Sequence, residues 1–108
     1  MILVKEVTVI SDLISNERRL ELCKVLALNL PTLRAKANLS QDDLADRLGF
    51  SRQTISAVEN MKRDMQWSTF SAIVLFFSKD EEIKKLMTVM GVFDDAVKEM
   101  LSAESKQL

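Results

Sequence analysis

The sequence predicts a single all-α domain. Only two glycines and one proline interrupt its 108 residues, and apolar residues make up 47% of the chain. Charged residues, at 29%, alternate with the apolar ones at spacings that fit one face of a helix. A chain shorter than about 150 residues has room for one domain of ordinary size. These proportions are typical of a globular protein built from helices.

The composition excludes several classes of function. The chain has no His and one Cys, Cys23, so the usual ligands of a zinc site are missing. His-assisted nucleophiles are missing for the same reason, and no glycine-rich run is present to bind a phosphate. We therefore expect no metal, no cofactor and no enzymatic activity. A single Cys and the lack of a run of about 20 apolar residues favour a cytoplasmic protein that does not enter a membrane.

Changes in pattern divide the chain into three predicted segments. Residues 1–30 form an N-terminal extension, in which Met1 to Ile10 is a short strand or arm and a helix runs from about Ser11 to Asn29. Residues 31–90 form the main domain. Residues 91–108 form a C-terminal helix and a frayed tail.

Local signals predict five helices in the main domain. Pro31 is suited to the first turn of a helix, where no N–H donor is needed, and Asn38 is suited to the end of that helix. Ser40 and Asp43 form a pair like a capping box, and Gly49 ends the helix that they begin. The three remaining helices are expected after Ser51, from Trp67 to Ser78, and from Asp80 to Met90. We expect one apolar stripe to close the core, made of Trp67, Phe70, Ile73, Val74 and Phe77.

The segment Gln41 to Asn60 (QDDLADRLGFSRQTISAVEN) resembles the helix-turn-helix of the lambda repressor/Cro-like family, also called the XRE type. The likeness extends from Leu33 to about Phe77 and rests on several residue types at once. Apolar, small, glycine and β-branched residues stand where the motif needs them, at Leu44, Ala45, Leu48, Gly49, Phe50, Ile55 and Val58. The resemblance implies a five-helix lambda repressor-like DNA-binding domain. The alternative is an αα-corner in an ordinary helical bundle.

The resemblance implies that the second helix of the motif enters the major groove of DNA. The positions that it directs toward base edges are Ser51, Arg52, Gln53, Thr54, Ser56 and Ala57. Arginine can donate two parallel hydrogen bonds to guanine, and glutamine can pair with adenine. The alternative for Arg52 and Gln53 is an ordinary solvated helix surface.

The same resemblance implies phosphate contacts from Gln41, Asn60, Lys62 and Arg63. The N-terminus of a helix attracts anions, and the two basic side chains would bind the DNA backbone whatever its sequence. Met61 stands where the family has glycine, so the loop must turn differently. We expect Asn60 to adopt the left-handed conformation there.

Arg34 and Glu59 match a recurrent ion pair of the family, which we interpret as structural. The charges favour a local basic surface, because residues 31–63 hold six basic and four acidic residues while the remaining residues hold nine basic and twelve acidic ones. The whole chain has a net charge of −1, so any attraction to DNA must come from that local surface.

The sequence therefore predicts a sequence-specific regulator of transcription, a repressor that reads an operator half-site of double-stranded DNA in a bacterial or phage-like cytoplasm. One helix reads too few base pairs to select a site, so we expect a homodimer. The N-terminal segment is favoured as its interface over the C-terminal helix of Asp94 to Gln107. The alternative is an antitoxin or antirepressor-type module that binds a protein partner through the N-terminal segment and also autoregulates by DNA binding. A third possibility is a fold of this type that has lost DNA binding.

Overall fold

A computed structural model of the chain describes residues 14–106, and its regular secondary structure in that range is entirely α-helical. The six helices are α1 (Asn16–Ala37), α2 (Gln41–Leu48), α3 (Arg52–Glu59), α4 (Trp67–Phe77), α5 (Glu81–Met90) and α6 (Asp95–Lys106). The prediction of an all-α fold is confirmed. The arm expected at Met1 to Ile10 lies outside the described residues.

Helix α1 is one continuous helix of 22 residues, where the sequence predicted two. It begins after Ser15, whose hydroxyl accepts a hydrogen bond from Arg18 N at 3.1 Å, so the expected start near Ser11 was wrong. Pro31 lies inside the helix and not at the start of one. A proline there removes one backbone hydrogen bond, but the fully buried Leu30 and Leu33 on either side hold both halves of the helix in the core.

The caps of the two short helices are as predicted. Ser40 Oγ accepts a hydrogen bond from Asp43 N, and the Asp43 carboxylate accepts one from Ser40 N, both at 3.0 Å. These bonds lower the pKa of Asp43, because they favour its charged form. Gly49 ends α2 with φ 75°, a conformation that costs glycine nothing. Ser51 caps α3 by accepting a hydrogen bond from Thr54 N at 3.1 Å.

The core lies where α1 packs against α3, α4 and α5. Of the stripe expected to close it, four residues are fully buried and Trp67 is partly buried, which confirms its role in packing. The Trp67 ring stacks on Phe70 with centroids 4.5 Å apart, and the Arg19 guanidinium lies 4.9 Å from the Trp67 ring centroid. The N-terminal half of α1 is therefore attached to the start of α4.

Helix α6 also contributes to this core. Its first turn is capped by Asp94, whose Oδ1 accepts a hydrogen bond from Val97 N at 2.9 Å. Val97, Met100 and Leu101 are buried. The helix continues to Lys106, through the first part of the tail that we expected to fray, and residues 107–108 lie outside the described part of the chain.

Candidate nucleic-acid interface

Helices α2 and α3 cross closely through the turn at Gly49. Leu44 and Ala45 on α2 and Ile55 and Val58 on α3 are buried at this crossing, with at most 2% of each residue exposed. Because Ala45 has only a methyl group, the two helices can approach each other there. One face of α3 is thus fixed in the core, and the other face is left toward solvent.

The outer face of α3 carries four of the residues predicted to contact bases. Arg52 and Gln53 are exposed, and Ser56 and Ala57 are half-buried. These four line one open depression together with two of the predicted phosphate contacts, Asn60 and Lys62. We call this surface of six residues the α3 depression. Sequence-predicted residues from α3 and from the following loop therefore form one continuous polar surface.

Two other predicted base contacts, Ser51 and Thr54, do not line the α3 depression. Their hydroxyl oxygens are 2.9 Å apart and share a hydrogen bond, and Ser51 Oγ also caps the helix. Thr54 is half-buried. In this structure both hydroxyls stabilise the start of α3, and their contact with bases stays a prediction.

The loop after α3 turns at Met61, and the expectation that Asn60 would be left-handed was wrong. Met61 has φ 60°, whereas Asn60 has φ −86°. The hydrogen bonds fix this position, because Met61 N donates to Val58 O at 3.1 Å and Lys62 N donates to Ala57 O at 2.9 Å. Such a pair of bonds requires the left-handed residue at position 61.

The two basic residues of this loop point to different surfaces. Both Lys62 and Arg63 are exposed. Lys62 lines the α3 depression, whereas Arg63 lines a separate cavity beside α1, with Leu20 and Lys24 on its far wall. Lys62 therefore lies on the same surface as four of the predicted base contacts, whereas Arg63 lies on a different surface.

A buried ion pair joins the end of α3 to α1. Arg34 Nε donates to Glu59 Oε2 at 2.6 Å, and Arg34 Nη2 donates to Glu59 Oε1 at 2.8 Å. The two side chains are 17% and 5% exposed. The hydrogen bond that Arg34 donates to Glu59 raises the pKa of Arg34, although partial burial acts in the opposite direction.

Helix α2 contributes two contacts to α3 that sequence reasoning missed. Gln41 Nε2 donates to Glu59 Oε1 at 3.0 Å, so the residue predicted to bind a phosphate is also attached to the Arg34–Glu59 pair. Asp42 Oδ1 lies 3.7 Å from Arg52 Nε. No local pattern signals either contact, because both depend on how the first turn of α2 lies against the two ends of α3.

The described residues contain neither a cluster of candidate metal ligands nor a helix suited to crossing a membrane. Between residues 14 and 106, no three or more Cys, Asp or Glu side chains are grouped as a metal site would need. None of the six helices is both long enough and apolar enough to span a membrane.

Two short helices joined by a tight turn, the second with a polar and basic outer face, define a helix-turn-helix DNA-binding protein. The helix-turn-helix family model matches residues 32–66. The chain is 49% identical over 51 residues to an uncharacterized HTH-type transcriptional regulator of Methanocaldococcus jannaschii. The matched region covers 46% of this chain and 77% of that protein. It is 33% identical over 73 residues to control protein C.SmaI of Serratia marcescens. The matched region covers 68% of this chain and 84% of that protein. No solved structure is significantly similar to the chain.

The chain belongs to the helix-turn-helix family of DNA-binding transcriptional regulators, of the XRE type. The resemblance identified in Gln41 to Asn60 is confirmed, and the helices agree with a lambda repressor-like fold.

Proposed function

We propose that this regulator is a repressor that binds a specific DNA operator as a homodimer, with one α3 helix in the major groove of each half-site. The observation that carries the proposal is the α3 depression. It presents donors, acceptors and a positive charge on one outward surface, and the opposite face of the same helix is fixed in the core. A rigid helix with such a face is suited to reading base edges.

Base contacts are assigned to the first turns of α3. Arg52 carries a guanidinium that can donate two parallel hydrogen bonds to guanine O6 and N7, and the amide of Gln53 can both donate to and accept from adenine. Both side chains are exposed, so neither needs to leave a packed site to reach DNA. Ala57 offers a methyl group suited to the methyl of thymine.

Phosphate contacts are assigned to residues on either side of α3. Lys62 stands beside the predicted base contacts and can neutralise one phosphate, and Arg63 can reach the backbone from the loop. Gln41 gives one amide hydrogen to Glu59, which leaves its second amide hydrogen for a phosphate oxygen at the N-terminus of α2. These contacts are independent of sequence and weaken as salt is raised.

The exposed face of α1 supports the N-terminal segment as the dimer interface. Leu20 and Leu28 are 62% and 65% exposed and lie about two helical turns apart. Large apolar side chains on one face are typical of an interaction surface. The apolar face of α6 is already used in the core through Val97, Met100 and Leu101, so it is less available to a second copy.

The same two leucines also support the alternative of an antitoxin or antirepressor-type module. A protein partner bound at Leu20 and Leu28 would use the surface that a second copy of this chain would need. Light scattering of the protein purified alone distinguishes the two. A stable dimer supports the homodimeric repressor, whereas a monomer that needs a co-expressed partner supports the interaction module.

The experiment that tests the proposed function is a titration of the purified protein against a pool of randomised duplexes, at two salt concentrations, with sequencing of the bound fraction. We expect enrichment of an inverted repeat whose half-sites are about 34 Å apart. The double variant Arg52→Ala/Gln53→Ala is the control and should enrich nothing. Binding that depends on salt but enriches no sequence would contradict the proposal, and so would the absence of binding by a folded protein.

A further inference from the structure

The first turn of α2 places an acidic residue beside the arginine assigned to base reading. Asp42 is the second residue of α2, and Arg52 is the first residue of α3. Asp42 Oδ1 lies 3.7 Å from Arg52 Nε, and the two side chains are 69% and 64% exposed. Among residues 14–106, this is the only ion pair that Arg52 forms. The contact therefore crosses the turn between the two helices of the motif, at the edge of the proposed DNA surface.

The position of the carboxylate matters because of the shape of the guanidinium. The Nε edge of Arg52 faces Asp42, so the two terminal nitrogens stay free to donate. A guanine edge needs two parallel donors, and the terminal nitrogens of arginine supply them in a fixed plane. At 3.7 Å the attraction of the Asp42 carboxylate favours orientations of the exposed guanidinium that keep Nε on the Asp42 side. Asp42 thus leaves Arg52 able to bind guanine.

The carboxylate also competes with DNA phosphates for the same arginine. An exposed arginine beside DNA binds any phosphate within reach, and that contact carries no sequence information. To swing to a phosphate, Arg52 must leave Asp42. The Asp42 carboxylate is then left without its partner, next to Gln41. The phosphate assigned to Gln41 and this carboxylate are both negative, so they repel each other. Binding to a wrong sequence is therefore penalised, whereas binding to guanine keeps the ion pair.

We infer that Asp42 is a positioning residue that sets the sequence specificity of this regulator, by holding Arg52 for a base and away from phosphates. The inference rests on the proposed function, because it needs Arg52 to contact a base. It assigns to an acidic residue on the DNA-facing surface a role that does not involve touching DNA. Specificity here is a difference between two affinities, and Asp42 increases that difference mainly by weakening binding to the wrong sequences.

The test compares Asp42→Asn with Asp46→Asn on the enriched operator and on the same duplex with the Arg52 base pair replaced. Asp46 is an exposed acid one turn further along α2 and forms no ion pair in the described part of the chain, so its variant removes an equal charge. For Asp42→Asn we expect the preference for the operator to fall about threefold at that base pair, because an exposed ion pair contributes at most about 1 kcal/mol. We also expect the salt slope of binding to the replaced duplex to steepen by about 0.9, the effect of one new phosphate contact.

Two further variants complete the test. Asp42→Glu should restore most of the preference, because it restores the carboxylate. In an Arg52→Ala background, Asp42→Asn should change the preference no further. Equal effects of Asp42→Asn and Asp46→Asn would overturn the inference, since charge alone would then explain them. An operator preference unchanged by Asp42→Asn would overturn the inference and leave the proposed function intact, whereas a wild-type protein that prefers no sequence would overturn both.

Discussion

Arg34 in the last turn of α1 is joined to Glu59, the last residue of α3, by two hydrogen bonds of 2.6 and 2.8 Å. Arg34 Nη1 also donates to Leu39 O at 3.1 Å, and Glu59 accepts a further bond from Gln41. One carboxylate therefore links the ends of α1 and α3 to the start of α2. This linkage fixes the C-terminal end of α3 relative to the rest of the domain.

Removing the carboxylate should destabilise the protein strongly. Glu59→Ala leaves Arg34 partly buried without its partner, and we expect a loss of about 3–5 kcal/mol in the free energy of unfolding. Urea denaturation followed by circular dichroism measures it. The control is Glu21→Ala, which breaks the exposed Arg18–Glu21 pair and should cost less than about 1 kcal/mol. Similar losses in both variants would show that the buried pair has no special role.

Replacing Met61 by glycine should stabilise the protein. Met61 has φ 60°, and a left-handed conformation costs a residue with a side chain about 1–2 kcal/mol. Glycine avoids that cost but makes the unfolded chain more flexible, so we expect a net gain of about 1 kcal/mol in the free energy of unfolding. Met61→Ala keeps the unfavourable conformation and should give no such gain. The same stability in both variants, measured by urea denaturation, would contradict this account of the loop.

Replacing Arg52 by alanine should weaken binding to the operator by about 1–3 kcal/mol and relax the preference at one base pair. Titrations against the operator and its single-base variants measure both quantities. Arg47→Ala is a matched control, because Arg47 is exposed like Arg52. It lies on α2, however, and lines a different surface, beside Phe76 and Ile83. It should leave base preference unchanged. An operator affinity that does not change in Arg52→Ala would rule out the base contact.

Replacing Lys62 by alanine should weaken binding to every duplex by a similar factor. Lys62 is exposed on the wall of the α3 depression, and the loss of one phosphate contact should reduce the salt slope of binding by about 0.9. Titrations at several salt concentrations, on the operator and on an unrelated duplex, measure the slope. Lys85→Ala, on the exposed side of α5, should leave it unchanged. A loss restricted to one sequence would assign Lys62 to a base instead.

The stability of the protein should fall at alkaline pH through Cys23. Burial raises the pKa of its thiol to about 11, although the nearby Arg19 charge acts in the opposite direction. The folded protein therefore holds this proton more tightly than the unfolded chain does. The resulting stability is complete below the ordinary pKa of a thiol, about 8.5, and is lost as pH rises toward the pKa of the folded state. Urea denaturation between pH 8 and 11 should show a steeper fall for the wild type than for Cys23→Ala, and parallel curves would contradict the assignment.

The sequence was sufficient for features that depend on a few neighbouring residues. The capping box of Ser40 and Asp43, the left-handed Gly49 and the cap at Ser51 follow from local hydrogen bonding. Local preference wrongly predicted that the helix would be interrupted at Pro31. The helix continues there because distant residues bury Leu30 and Leu33 and offset the cost of the proline. Local preference suggested Asn60 as the left-handed residue of the next turn, but hydrogen bonds to the end of α3 placed that conformation at Met61.

The candidate site was predictable as a set of positions and not as a set of contacts. The resemblance to the XRE-type motif pointed to Arg52, Gln53, Ser56 and Ala57 as base contacts, and these four residues share one surface. The contact between Asp42 and Arg52 could not be found in this way, because it depends on the angle at which the two helices cross. The separation of Arg63 from Lys62 likewise depends on where the loop passes α1.

Because α1 continues through Pro31, it is a single rigid helix about 33 Å long, with Leu20 near one end and Arg34 near the other. A second copy of the chain bound near Leu20 would set the angle at which α3 meets the duplex, because α1 has no hinge between Leu20 and Arg34. One residue inserted after Asn29 would turn the proposed interface at Leu20 and Leu28 by about 100° relative to α3. In the proposed dimer, the length of α1 would therefore set how the two α3 helices are oriented relative to each other on the DNA, although α1 does not carry the proposed base contacts.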